Sequence, residues 1–215
     1  MIRLPPRSTQ SRSSAASDVY KRQWINVAKQ TGIEELRLTT RDISDYNVLM
    51  NRRLEILKHH GITINDIREV ISNIEPLPGA LDFLNWLHGR VQLIIVSDTF
   101  REFADPLLEK MGWPVLFCHN LSIDREGNIT GFNLRQNDAK RKVTEALQDL
   151  NFKVIAVGDS YNDISMLRKS EHGILFQPPR NVIDDNKDIR VVNSYSQLRN
   201  AISEILDTSE TITYH

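Results

Sequence analysis

Apolar residues along this chain change their spacing near residue 75. Before that point they recur at helical intervals, and after it short unbroken apolar runs alternate with helical stretches. Trp24, Ile25, Val27 and Ala28 begin a short amphipathic element closed by Gly32. Asp42 to His60 carries Tyr46, Leu49, Leu54 and Leu57 on one face and stops at Gly61. Thr63 to Ile74 aligns Ile64, Ile67, Val70 and Ile71. Pro76 and Pro78-Gly79 then break the pattern. Residues 24–74 therefore read as a small helical bundle.

Beyond the break the alternation is that of an α/β fold with a Rossmann-like parallel sheet. A helix is expected over Ala80–Arg90, then a buried strand from Val91 to Thr99 and a helix over Arg101–Met111 halted by Gly112. A short strand follows at Pro114–Cys118. Residues 120–124 and 129–134 alternate around Arg125-Glu126-Gly127-Asn128, the signature of a hairpin. Asp138 is placed to cap a helix running to Leu150. Lys153 to Gly158 is an apolar run that ends in Asp159-Ser160-Tyr161-Asn162-Asp163 before helical spacing resumes at Ile164. Gly173–Phe176 and an edge strand at Arg190–Val192 complete the sheet. A closing helix spans Ser194–Leu206, and 75–207 is read as the core with a polar tail at 208–215.

Charge separates the first 23 residues from the rest. Arg3, Arg7, Arg12, Lys21 and Arg22 there oppose Asp18 alone, which leaves 22 basic against 27 acidic residues elsewhere. Residues 1–23 are also rich in serine and show no periodicity. A disordered tail and a transit-like leader are two readings of such a head. The one ranked first is non-homologous sequence, because Ser13–Gln23 looks like translated adapter material. Whole-chain composition is ordinary for a globular protein: 40% hydrophobic, 26% charged and a net charge of −1. There is no basic patch for nucleic acid, and no apolar stretch long enough to cross a membrane. Cys118 is the single cysteine, so no internal disulfide forms, which fits a reducing cytoplasm. It follows Val115-Leu116-Phe117 and reads as a small buried hydrophobe.

The candidate chemistry lies at strand ends, where open α/β sheets bind ligands. Asp159 and Asp163 suit a hard cation such as Mg²⁺ shared with a phosphate, or else this is an ordinary strand-to-helix turn with Asn162 or Asp163 as the helix N-cap. Ser97 and Thr99 offer hydroxyls and backbone N–H groups to a phosphate, or else cap a helix. Lys140 sits in the first turn of its helix, against the helix dipole, which strengthens the case for a specific role beside the alternative of a solvated lysine. For Arg52-Arg53 a solvated charged face is the commoner case; the alternative is a planar fork aimed at a carboxylate or phosphate. Hydroxyls, a lysine, two aspartates and Asn162 together fit phosphoryl transfer, in which positioning and charge neutralisation dominate.

At this point the chain resembles the haloacid dehalogenase superfamily and, within it, the phosphoserine phosphatases, over about Trp24 to Leu206. The resemblance rests on Val96-Ser97-Asp98-Thr99-Phe100, Asn137-Asp138-Ala139-Lys140-Arg141 and Gly158-Asp159-Ser160-Tyr161-Asn162-Asp163. It implies Mg²⁺-dependent hydrolysis of O-phosphoserine through an aspartyl-phosphate, with homoserine as a second phosphoryl acceptor. Asp98 stands where simpler members have glycine, as in the dual-function bacterial relatives. The resemblance gives Ser97 the phosphoryl group, Lys140 its charge and Asp159 the metal. Asn162 falls on the phosphate side, and Asp163 orients Lys140 or supports the metal shell. Tyr46 and Arg53 are assigned to the amino-acid end of the substrate, and Asp98 and Thr99 to its surroundings.

The family's first motif, a strand ending in the aspartate nucleophile, should lie just before Trp24. Ser17-Asp18-Val19-Tyr20 follows no apolar strand, and Asp18 is the first acidic residue of the chain. The expectation is a sheet without its central strand, exposed neighbouring edges and little or no turnover. What would remain is a binder of a phosphorylated amino acid. A receiver-like signalling domain is the third reading, opposed by the helical insert and the hairpin.

Overall fold

The computed structural model describes residues 17–39, 42–43 and 45–210, with 17–23, 209 and 210 as backbone only. Readings of residues 1–16 and 211–215 lie outside these. The first helix, α1 (Ser17–Thr31), starts seven residues before Trp24, inside the segment read as head. A 3-10 turn (Glu34–Arg37) leads to α2 (Tyr46–His59), whose first turn is capped by the Asp45 carboxylate accepting from the Asn47 and Val48 N–H groups. In α3 (Ile64–Ser72) Thr63 and Asp66 form a reciprocal capping box, and Ile64, Ile67, Val70 and Ile71 are buried as their spacing requires.

These helices do not close a core of their own. Trp24, Val27, Leu36, Met50, Leu57 and Ile71 share one apolar cluster with Phe100, Phe103, Leu121 and Ile129 from the α/β part. The latter come from β1 (Ile94–Phe100), α5 (Arg101–Lys110), β2 (Val115–Ile123) and β3 (Ile129–Asn133). The short strand at 114–118 and the first hairpin strand are one continuous β2. It runs parallel to β1, with Ile94 opposite Val115, and antiparallel to β3, with Asn120 opposite Asn133.

The second half holds α4 (Ala80–Leu87), α6 (Ala139–Asp149), β4 (Ile155–Gly158), α7 (Tyr161–Lys169), β5 (His172–Phe176), α8 (Arg180–Asp185), β6 (Arg190–Val192) and α9 (Tyr195–Glu210). The closing helix thus takes in residues read as polar tail. Strands β4, β5 and β6 are all parallel, from Ile155 opposite His172 to Phe176 opposite Val192. Val157, Ile174 and Phe176 pack against α4 and α9, while Ala156 and Leu175 pack against α7 and α8. Both faces are covered, which is why these strands are continuous apolar runs rather than alternating ones.

The sheet is divided. Among the described residues the order is β1-β2-β3 in one sheet and β4-β5-β6 in another, with no pairing between β1 and β4. Loss of the family's first strand would leave a gap at this place, and residues 1–16 lie outside the described residues. No helix among the described residues is long and apolar enough to cross a membrane.

Candidate active site

The carboxyl ends of β1 and β4 and the first turn of α6 converge on one buried cation. Lys140 is 3% exposed, and its Nζ lies 2.9 Å from Asp98 Oδ2 and 2.8 Å from Asp163 Oδ1. Asp98 belongs to β1 and Asp163 to α7, so this lysine joins the two half-sheets at their carboxyl edge. Its place against the helix dipole is offset by two carboxylates, one of them fully buried.

Local sequence sets each of these groups. The β1–β2 register slips between Val96 and Phe100: Val96 faces Phe117 while Phe100 faces His119. Ser97, Asp98 and Thr99 occupy that irregularity, the kind of ladder break that re-aims side chains beside active sites. The Thr99 N–H donates to Ser97 Oγ at 3.3 Å. In the turn after β4, Ser160 and Asp163 form a capping box. Asp163 Oδ2 accepts from the Asp159 N–H at 3.0 Å, the Ser160 N–H at 3.1 Å and the Ser160 hydroxyl at 2.9 Å. The cap of α7 is therefore Ser160, rather than Asn162 or Asp163. Gly158 makes room for this network. A Cβ there would lie 2.7 Å from Asp163 Cγ, well inside contact distance.

Asp98, Lys140 and exposed Asn162 line an open hollow of about 300 Å³ together with Gln136, Asp138 and Tyr161. Asp138 takes the N-cap position of α6 in a left-handed conformation, φ 50°, and makes no side-chain cap bond. Its carboxylate instead accepts from Ser165 Oγ at 2.8 Å and from Arg141, tying α6 to α7. That corrects its expected role as a helix cap.

Arg52 is exposed, but Arg53 is only 2% exposed, so the solvated reading fails for the second of the pair. Its guanidinium stacks 4.6 Å from the Trp24 ring and donates to the Leu38 carbonyl at 2.7 Å. Tyr46 is half-buried and meets Phe132 of the hairpin edge-on, with centroids 6.4 Å apart. Both are held by the helical region and its hairpin, and neither lines the hollow at Lys140.

His119 escaped sequence reasoning, since nothing in its spacing marks it. It is buried on β2, and its Nδ1 accepts the Arg135 N–H at 3.0 Å, pinning the segment that leads to Lys140. Burial lowers its pKa below the usual value; Lys140 and Arg135 add to this and Asp98 opposes it.

The donor set does not by itself make a magnesium site. Both Asp163 oxygens already accept from Lys140 and the turn, so Asp159, 3% exposed, is the metal carboxylate the strand end offers. Among the described residues no three His, Cys, Asp or Glu side chains converge as a metal-holding group. Mg²⁺ wants near-octahedral oxygen coordination, so most of its ligands would have to come from phosphate, water or a further carboxylate.

A family profile described as haloacid dehalogenase-like hydrolase matches residues 11–170. "Phosphoserine phosphatase ThrH" of Pseudomonas aeruginosa is 48% identical over 176 residues, covering 82% of this chain and 86% of that protein. A phosphoserine phosphatase of Pseudomonas syringae pv. tomato is 47% identical over 176 residues, covering 82% of this chain and 74% of its own. The solved structure "Phospho-Aspartyl Intermediate Analogue of Phosphoserine phosphatase" shares the fold, with a TM-score of 0.63 at 22% identity over 85% of this chain and 90% of that one.

Proposed function

Because this chain belongs to the haloacid dehalogenase-like hydrolases, we propose that its strand-end hollow is a phosphomonoester site for O-phosphoserine, with water or homoserine as the acceptor in a complete enzyme. The observation that carries this reading is Lys140, a buried cation held between Asp98 and Asp163 at the rim of a parallel sheet. A fixed positive charge in a low-dielectric site stabilises a phosphoryl group far better than one in water.

In this reading Ser97, Thr99 and Asn162 hydrogen-bond the phosphoryl oxygens, and Lys140 neutralises their charge. Asp163 is a positioning residue that aims Lys140. Asp98 faces the phosphoryl group across Lys140. Residues 24–74 form a cap over the 75–207 core, and Arg53 with Tyr46 recognises the amino-acid end. Asp159 is the residue given to Mg²⁺; since the described residues do not complete that site, no step is assigned to the metal.

This reading assigns no residue of the chain as the attacking carboxylate. The segment before α1 contains no acidic residue, and Asp18 lies in the first turn of a helix rather than at a strand end. The chain on its own should therefore bind phosphoserine without turning it over. Calorimetry with phosphoserine and a phosphate-release assay with magnesium test this together. Binding without release is expected. Release by the pure chain would overturn the loss of the nucleophile, and absence of binding would overturn the substrate.

A further inference from the structure

His119 stands between two segments that build the hollow. It lies on β2 opposite Phe100, the first paired residue after the slip that holds Ser97, Asp98 and Thr99. The two rings are 6.1 Å apart, centroid to centroid. On the other side of β2, β3 ends with Asn133 opposite Asn120, so the chain leaving the hairpin runs back past His119. There the Arg135 N–H donates to His119 Nδ1 at 3.0 Å. The Arg135 guanidinium lies 4.8 Å from the ring of Phe117, which is two residues from His119 and so on the same face of β2. Residues 134–138 are thus anchored on β2 at Arg135 and on Ser165 of α7 at Asp138, with Gln136 lining the hollow between the two anchors. Asp138 opens α6, whose first turn carries Lys140.

The bond to Arg135 has a protonation requirement. An imidazole accepts at Nδ1 only when neutral, with its proton on Nε2; once charged, both ring nitrogens are donors. Two donors would then face each other, and His119 is only 7% exposed, so the ring has little room to turn towards water. Burial opposes its protonation most. Asp98 of β1 favours it, and Lys140 of α6 and Arg135 oppose it. The accepting, neutral ring is therefore the resting form at neutral pH.

We propose that His119 is a pH-sensitive latch on this wall of the hollow: neutral, it holds residues 134–138 against β2 with Gln136 and Lys140 in register, and protonated, it releases them. It acts through Arg135 rather than on the ligand, which makes it a positioning residue. The effect on ligand binding rests on the phosphoserine reading given above. Its sign is diagnostic. One more positive charge near Lys140, with nothing moved, would tighten the hold on an anion. Release of the wall that leads into α6 loosens it, so the latch requires weaker binding when His119 is charged.

The test uses the full chain, His119→Asn and His119→Leu. Asparagine keeps an acceptor for the Arg135 N–H and does not titrate, whereas leucine removes the acceptor at every pH. Ring-nitrogen NMR follows the charge on His119, amide hydrogen exchange follows Arg135, and calorimetry measures phosphoserine binding. Once the ring is charged, the Arg135 amide of the native chain should exchange about fivefold faster than the pH alone dictates, the worth of one hydrogen bond, while the amides of β4, β5 and β6 keep their protection. Leucine should show the faster exchange already at pH 8 and weaken phosphoserine by about fivefold, and asparagine should restore both to within about twofold of the native chain. The ionisation of phosphoserine is common to every chain, so the ratio of native to asparagine affinity isolates the ring. That ratio should fall by about fivefold across the His119 titration. A ratio that rises or stays level overturns the latch, as does Arg135 exchange that ignores the charge on the ring. If the leucine chain does not fold, the native and asparagine chains decide the matter between them. If the native chain does not bind phosphoserine, the phosphoserine reading falls instead, and exchange at Arg135 alone upholds or overturns the latch.

Discussion

Replacing Lys140 with methionine removes the cation while keeping an unbranched apolar stem in its place. The side chains of Lys140 and Asp163 are 3% and 1% exposed, so the charge left on Asp163 has no route to water. Breaking a buried pair by deleting one partner costs about 3–5 kcal/mol, because a charge is stranded. Asp98 adds little to this, since its side chain is 35% exposed and water can replace the lysine. Three donors from the turn still face Asp163 Oδ2, which places the loss near the lower figure, about 3 kcal/mol. For a chain of this size that lowers the thermal midpoint by roughly 6–12 °C. Urea titration followed by circular dichroism gives the free energy directly. The double variant Lys140→Met with Asp163→Asn no longer strands a charge, so its cost should fall short of the sum of the single costs by about 1–3 kcal/mol. Strictly additive costs, or a single-variant loss below about 1 kcal/mol, would refute a buried pair that holds the half-sheets together.

Other consequences follow from the same geometry. Gly158→Ala should lose about 1–3 kcal/mol in urea, because the new methyl group meets Asp163 on a short side chain fixed by the turn; an unchanged midpoint would show that the turn yields freely. His119 has a lowered pKa in the fold, so the unfolded chain takes up its proton first as the pH falls. Stability should therefore decline from about pH 6.5 downward and level off below the folded pKa. His119→Asn, which keeps an acceptor for the Arg135 N–H, should flatten that part of the pH–stability curve, and an unaltered curve would assign the effect elsewhere. The Cys118 thiol is pushed up to about 11, chiefly by burial. At pH 8 only about one molecule in a thousand is thiolate, so a disulfide reagent should react slowly with the native chain and promptly in urea.

What was legible in the sequence was what short-range chemistry decides. The strand-to-helix turn at 158–163 was read as such, though its cap was expected at Asn162 or Asp163 and lies at Ser160. The apolar runs of β4 and β5 announced strands covered on both faces. Long-range partners were not legible. Arg53 read as a solvated charge because its burial depends on Trp24, almost thirty residues earlier, and on the Leu38 carbonyl. Nor could periodicity reveal that β2 continues through the expected break, or that the helical region shares its core with Phe100 and Phe103. The division between β1 and β4 lies between these extremes. No residue of either strand encodes a gap, since each run has the composition of a strand with neighbours on both sides. It became an expectation only because motifs at 96–100, 137–141 and 158–163 called for an acidic strand end that the preceding residues do not contain. Strands composed for the middle of a sheet but left at its margin present open ladders to other chains.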